Sequence, residues 1–219
     1  MSKVSVIITA AGIGRRMKSS LPKQFMLLHE KPVLMYTIEQ FYQYDPKMEL
    51  ILTLPEDWLN HWESLMSEYD FHIPHRVVSG GKERFHSIQN ALEKCTGEII
   101  AVHDGVRPLV REITIRDCIK AAKEEGAAIP VVPISESLRQ LDGEMTKAVD
   151  RTQFMLVQTP QCFKREILVD AYQRDFHEGI TDDASLVEEA GYRITTVSGN
   201  IENIKITTQS DLQYAELFL

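Results

Sequence analysis

The stretch Val4-Ser5-Val6-Ile7-Ile8-Thr9-Ala10-Ala11-Gly12-Ile13-Gly14-Arg15-Arg16-Met17, followed by Pro22-Lys23-Gln24, decides the fold. Its apolar, β-branched start reads as a buried strand. The strand opens into a glycine-rich loop that supplies two arginines and then a lysine. Glycine lets a backbone come close to a ligand. Successive N–H groups in such a loop form an anion nest, and fixed cations beside it offset phosphate charge. That is the layout of a nucleoside triphosphate site, although the loop taken alone also fits a plain strand-to-helix connection. Two better-known phosphate loops are excluded. The third small residue of G-x-G-x-x-G would fall where Met17 stands, which disfavours a nicotinamide-dependent oxidoreductase, and G-x-x-x-x-G-K-[ST] is absent.

Outward from this loop, apolar β-branched runs alternate with helical periodicity. Strands are expected over Val4–Thr9, Glu49–Leu54, Arg76–Val78, Ile99–His103 and Ala128–Val132. Helices are expected over Val33–Tyr44, Asp57–Tyr69, Phe85–Lys94 and Ile113–Glu125, with Leu34, Ile38 and Phe41 at helical spacing. Such alternation predicts an α/β fold, a Rossmann-like three-layer αβα domain around a mostly parallel sheet. Ligands of such sheets bind beyond the carboxyl ends of the strands, where the Gly12 loop lies. Residues Ile134–Val149 break the alternation around Asp142-Gly143, a hairpin signal. They predict a β-hairpin arm, spanning 134–152 with its base, on a single domain running from 1 to 219. An isolated hairpin is marginal in water, so the arm needs a surface to pack on. That surface is either a second subunit, making a homodimer, or the arm's own domain. Beyond the arm we expect a segment Phe154–Val157, helices near Lys164–Phe176 and Asp183–Ala190, a strand near Arg193–Val197 and a final helix near Ser210–Phe218.

Composition narrows the class of ligand. The chain has 219 residues and a net charge of −8, so it lacks the basic footprint of a general nucleic-acid binder. Arg15, Arg16, Lys18 and Lys23 nevertheless cluster near one loop, which fits a small anion rather than a polymer. Cys95, Cys118 and Cys162 are scattered and show no C-x-x-C spacing. A disulfide frame or zinc site is therefore not expected, and a reducing cytoplasm is. Arg15 and Arg16 cut short the first apolar run before it resembles a secretory signal. No run approaches the roughly 20 apolar residues of a membrane helix.

Other motifs carry chemistry. His103-Asp104-Gly105-Val106-Arg107-Pro108 ends a strand with an acid facing the same crevice, and a carboxylate there suits Mg²⁺ beside substrate phosphates, other divalent ions being possible. Alone, Asp104 reads equally as a turn residue or the partner of Arg107. Ser79-Gly80-Gly81-Lys82-Glu83-Arg84, with Ser87 on the next helix, offers a close-approach turn for a base or ribose, or an ordinary strand–helix turn. Asp150-Arg151, Thr159-Pro160-Gln161, Thr181-Asp182-Asp183 and Asn203-Ile204-Lys205-Ile206-Thr207 bring cations and hydroxyls suited to a second, monophosphate ligand.

Taken in order, A-A-G-x-G-R-R-M, P-K-Q, G-G-x-E-R, H-D-x-x-R-P, V-D-R, T-P-Q, T-D-D-A-S and N-I-K-I-T resemble the 2-C-methyl-D-erythritol 4-phosphate cytidylyltransferases, from Val4 to the C-terminus. The resemblance implies a CTP-dependent nucleotidyltransferase of the non-mevalonate isoprenoid pathway, with CTP and a polyol phosphate as its ligands. It implies that Ala10, Ala11, Gly12, Gly14, Gly81, Ser87, Asp104 and Gly105 line the CTP site. It further implies that Arg16 and Lys23 stabilise the transition state, that Asp104 holds Mg²⁺, and that Arg151 and Lys205 position the acceptor. Arg107, Ser137, Thr159 and Thr181 would lie near that acceptor. It also implies homodimers joined through the arm, each site completed by its neighbour. Two positions depart from the pattern: Gly105, where alanine or serine is expected in many relatives, and Ser135-Glu136-Ser137, where Asp-Thr is common. A ribitol-5-phosphate cytidylyltransferase and a non-catalytic CTP-binding regulator remain as alternatives.

Overall fold

The computed structural model describes residues 3–12 and 21–219. The predicted loop residues Gly14, Arg15, Arg16, Met17 and Lys18 lie outside the described residues.

The first strand, β1 (Val4–Thr9), shows why the chain builds two cores. Side chains alternate across a strand. Val4, Val6 and Ile8 enter one apolar cluster, and Ile7 enters another on the opposite face. The remaining strands are β2 (Leu27–Leu28), β3 (Lys31–Pro32), β4 (Glu49–Leu54), β5 (Arg76–Ser79), β6 (Ile99–Asp104), β7 (Ala127–Pro133), β8 (Leu138–Asp142), β9 (Met145–Val149), β10 (Met155–Val157), β11 (Gln161–Lys164) and β12 (Thr195–Ser198). The helices are α1 (Val33–Tyr44), α2 (Leu59–Glu68), α3 (Arg84–Leu92), α4 (Glu112–Glu125), α5 (Arg165–Ala171), α6 (Asp183–Glu189) and α7 (Gln209–Glu216). Leu34 and Ile38 of α1, Trp62 of α2 and Ile115 of α4 cover one sheet face. Ile88 of α3, Leu168 of α5 and Leu186 of α6 cover the other. The three-layer α/β architecture expected from the sequence is thus present. A third, smaller cluster joins Leu28 and Val106 to Leu212 of α7.

The main sheet runs β10-β7-β11-β6-β1-β4-β5, with β12 on the far edge of β7. The β1–β4, β1–β6, β4–β5 and β12–β7 pairings are parallel. The short β2 and β3 are not predicted from the sequence, and neither, within the main sheet, is β11, which lies antiparallel between β6 and β7. Its four residues, Gln-Cys-Phe-Lys, give too short a run to show periodicity. The helix expected from Lys164 accordingly begins at Arg165 and stops at Ala171. Val157 of β10 and Cys162 of β11 both pair along β7, on the edge opposite β12. Between them lie Gln158, Thr159 and Pro160, with a cis Thr159–Pro160 bond.

The arm is a two-stranded antiparallel sheet of its own, β8 with β9. Asp142 pairs with Met145, so the turn is Gly143-Glu144, one residue beyond the expected centre. Gly143 has φ +58°, which a primed hairpin turn requires at its first central position. The helix expected from Asp57 begins at Leu59 after a short 3₁₀ turn over Glu56–Trp58. Among the described residues no helix is long and apolar enough to cross a membrane.

Candidate active site

In parallel register, Thr9 at the end of β1 faces Asp104 at the end of β6, and Thr53 of β4 lies on the other side. A cleft of about 600 Å³ opens over these ends. Its wall includes Ala10, Ala11, Gly12, Lys23, Gln24, Gly81, Ser87, Asp104 and Lys205, drawn from every motif between positions 10 and 105 and from the C-terminal one.

Asp104 is held there by two cations. Lys205 Nζ donates to Asp104 Oδ1 at 3.1 Å, and Arg107 Nε donates to Oδ2 at 2.9 Å. Burial alone would raise its carboxyl. The charges of Lys205, Arg107 and Arg84 override burial and hold it well below the usual carboxylate range. Asp104 is therefore an anion at any physiological pH. Its backbone is braced as well. The Asp104 N–H donates to Thr159 Oγ1 at 3.1 Å, and that hydroxyl lies 3.0 Å from His103 Nδ1. His103 Nε2 lies 3.0 Å from the Arg107 carbonyl, an acceptor only, so Nε2 carries the proton and Nδ1 accepts from Thr159. Burial pushes His103 down to about 4, keeping it neutral and giving it a structural task.

Arg107 and Thr159, which the resemblance places near the acceptor, are both engaged behind Asp104. Arg107 Nη1 also donates to the Asn203 carbonyl at 2.7 Å. The buried Asn203 in turn donates through Nδ2 to the Thr159 carbonyl at 2.8 Å, tying the Lys205 segment to the same unit. Gly105 lies beneath the cleft. A Cβ there would sit 2.9 Å from the Ala10 Cβ and 3.1 Å from the Thr9 carbonyl oxygen, so the end of β6 needs a glycine to approach β1 this closely.

The Gly80–Arg84 turn forms the opposite wall. Ser87 Oγ accepts from the Gly81 N–H at 3.0 Å and donates to the Glu83 carbonyl at 3.1 Å, holding the turn shut. Gly80 packs against Ala11, where a Cβ would come within 2.4 Å of the Ala11 Cβ. Arg84 makes a two-pronged pair with the fully buried Asp183, at 3.1 and 2.6 Å, and Tyr172 donates to the same carboxylate at 2.6 Å. Gln161 donates to Asp182 at 2.7 Å and accepts from the Ala184 N–H at 2.9 Å. These braces explain the Arg of G-G-x-E-R, the Gln of T-P-Q and the acids of T-D-D-A-S. The sequence shows these residues only as motif letters, since nothing in one chain says which charges will be buried together.

Among the described residues, the remaining expected site residues are not in the cleft wall. Thr181 lines a second cavity of about 320 Å³ beside Arg84, Phe85 and Phe176. Ser137 and Arg151 stand exposed on the arm and at its base, where Arg151 donates to the Ser135 carbonyl. Gly14 and Arg16 fall outside the described residues.

Comparisons with known proteins give the family. The family model for IspD, 2-C-methyl-D-erythritol 4-phosphate cytidylyltransferase, matches residues 4–219. The chain is 47% identical over 219 residues to the enzyme of that name from Bacteroides thetaiotaomicron, covering 99% of this chain and all of the relative. It is 45% identical to that of Phocaeicola vulgatus, covering 98% of each. The crystal structure of Francisella tularensis 2-C-methyl-D-erythritol 4-phosphate cytidylyltransferase superposes with a TM-score of 0.81 at 31% identity, over the whole of both chains. With motifs, architecture and full-length relatives in agreement, the chain belongs to the 2-C-methyl-D-erythritol 4-phosphate cytidylyltransferase family.

Proposed function

We infer that the chain transfers CMP from CTP to 2-C-methyl-D-erythritol 4-phosphate, releasing pyrophosphate and 4-diphosphocytidyl-2-C-methyl-D-erythritol in the non-mevalonate isoprenoid pathway. The observation that carries the chemistry is the meeting of Lys23, Lys205 and Asp104 in one cleft at the strand ends. The relatives support this acceptor, not the ribitol phosphate or regulatory alternatives.

The attacking group is a phosphate oxygen of the acceptor. The second pKa of a phosphate monoester is about 6, so at neutral pH the nucleophile is already ionised. No general base is needed, in keeping with a neutral His103 turned away from the chemistry. The obstacle is the approach of one anion to another. Lys23 and Lys205, with Arg16 from the glycine-rich loop, offset that repulsion and the charge that builds on the α-phosphate. Pyrophosphate leaves as the new phosphoanhydride bond forms.

Asp104 fits a Mg²⁺ ion brought in with the triphosphate: it is buried, ionised and part of the cleft wall. Among the described residues no group of three His, Cys, Asp or Glu side chains assembles, so the remaining ligands would come from phosphate oxygens and water. Bound there, the ion would neutralise phosphate charge and act as a Lewis acid on the phosphoryl oxygen; other oxygen-seeking divalent ions are alternatives.

Ser137, Arg151 and Thr181 complete an acceptor site when a second copy contributes its arm. Support for this homodimer comes from the arm itself. Leu141 is 78% and Met145 73% exposed at its tip, and Phe154, Met155, Leu156 and Val157 form an apolar strip at its base. Surfaces of this kind mark protein contacts. The cytoplasm, where free thiols persist, is the compartment that suits three unpaired cysteines.

The test is pyrophosphate release from CTP and Mg²⁺ with methylerythritol phosphate or ribitol phosphate as acceptor. Turnover with the first is expected. Turnover with ribitol phosphate alone, or with neither, overturns the reading.

A further inference from the structure

Gln24 has no assigned role, yet it is the residue that ties the lysine of P-K-Q to the glycine-rich loop. It is 1% exposed, although its neighbour Lys23 reaches the cleft. Its Nε2 donates to the carbonyl of Ala10 at 2.7 Å, across the cleft floor. The other side of Ala10 is fixed too, because its N–H donates to the Thr53 carbonyl at 3.0 Å. Ala10 is therefore held through both its N–H and its carbonyl. In a trans peptide the N–H points opposite to the carbonyl. Gripping the Ala10 oxygen thus also sets the direction in which the Ala11 N–H is presented, in the wall of the cleft proposed to take the triphosphate.

The same residue holds Lys23 from behind. Lys23, Gln24 and Phe25 form a single 3₁₀ turn, closed by the Phe25 N–H to the Pro22 carbonyl at 2.9 Å. Phe25 is buried on an aromatic shelf, stacked on Trp58 at 5.5 Å and edge-on to His61 at 5.2 Å. One side of the turn is thereby wedged into the core. The other is tethered by one amide to the nucleotide-binding backbone.

We propose that Gln24 is a positioning residue for phosphate transfer, setting the Lys23 ammonium and the Ala11 N–H in register with each other. The proposal rests on the role given to Lys23 above. Misplacing a reacting group by about 1 Å costs on the order of a hundredfold in rate.

The experiment is a double-mutant cycle on the full chain. Gln24→Met keeps the length and burial of the side chain and removes the amide, the donor to Ala10 with it. Gln24→Glu keeps the shape and sets a carboxylate against the Ala10 carbonyl. The readouts are kcat for pyrophosphate release, KM for CTP and for methylerythritol phosphate, and thermal midpoint. We expect Gln24→Met to lower kcat about 10- to 100-fold with KM for the acceptor unchanged, and Gln24→Glu to lower it at least as far. In a Lys23→Ala background the same Gln24→Met change should cost clearly less, because one of the two groups it positions is gone; a merely structural residue would cost the same in both backgrounds. Equal fold losses in the two backgrounds, or a Gln24→Met enzyme with unchanged kcat, overturn the proposal. Near-normal turnover by Lys23→Ala alone would instead overturn the role of Lys23.

Discussion

The cleft and the arm are built in opposite ways. Around Asp104, a carboxylate, two cations, a neutral histidine and a threonine are locked together by hydrogen bonds of 2.9 to 3.1 Å. The arm presents a two-stranded ribbon with apolar side chains exposed at its tip. The difference teaches where the work of assembly lies. Electrostatic catalysis needs charges fixed before the substrate arrives, since reorientation during the reaction would cancel their benefit. In the proposed function the nucleotide half of the site meets that need within one chain. The acceptor half, proposed to include Ser137 and Arg151, would depend on what the arm packs against.

The largest effect should follow from removing a fixed charge on the braced side. Lys23→Ala should lower kcat by about 10² to 10³, roughly 3 to 4 kcal/mol, with the thermal midpoint little changed. Steady-state pyrophosphate release measures it. If kcat moves less than severalfold, the cleft does not act through that ammonium.

Next comes the arm. Replacing Leu141 and Met145 together by Asp should abolish association and lower turnover of the acceptor by about tenfold or more, while CTP binding stays near wild type. Sedimentation and calorimetric titration of CTP separate the two. A parallel loss of CTP affinity would erase the contrast between the regions.

A third prediction concerns stability on the braced side. Gly105→Ala places a Cβ 2.9 Å from the Ala10 Cβ and 3.1 Å from Leu34 Cδ1. Overpacking of this kind costs about 1 to 3 kcal/mol, read as a lower denaturant midpoint. The expectation that relatives place alanine or serine here makes the result informative. A neutral substitution would mean that β1 and β6 separate more easily than this packing implies.

A last prediction, whose effect at neutral pH is the smallest, concerns the bracing itself. His103 is held down to about 4, below its ordinary value of about 6.5. A histidine buried neutral adds stability that is complete above the ordinary value and is lost as pH falls towards the folded one. Wild-type protein should therefore lose thermal stability between about pH 6.5 and 4 more steeply than His103→Gln. Identical slopes would remove His103 from the account.

Much of this is legible in the chain. The runs that form β1, β4 and β6 are long, apolar and bounded by turns, so periodicity and burial agree along them. Asp104 is legible because a carboxylate falls at a strand end, where an α/β sheet places its ligands, and Lys23 and Lys205 because each is the cation of a motif in the ordered series. β11 is not legible, because a four-residue strand wedged between longer ones takes its conformation from its neighbours. Nor is the division of labour among the polar residues. Thr159 and Arg107 look like substrate contacts as motif letters, and only the fold shows their hydrogen bonds directed to Asp104, His103 and Asn203. Gln24 is silent in the sequence for the same reason, since its partner is a backbone carbonyl.

The central claim, that one chain supplies the nucleotide half of each site and a second copy's arm supplies the acceptor half, is tested by mixing two inactive variants. Lys23→Ala carries an intact arm and Arg151→Ala an intact cleft. When subunits exchange at random, half of the dimers are mixed, and one of their two sites then has both residues, so about a quarter of wild-type turnover should return. A mixture no more active than its separate components would contradict the account.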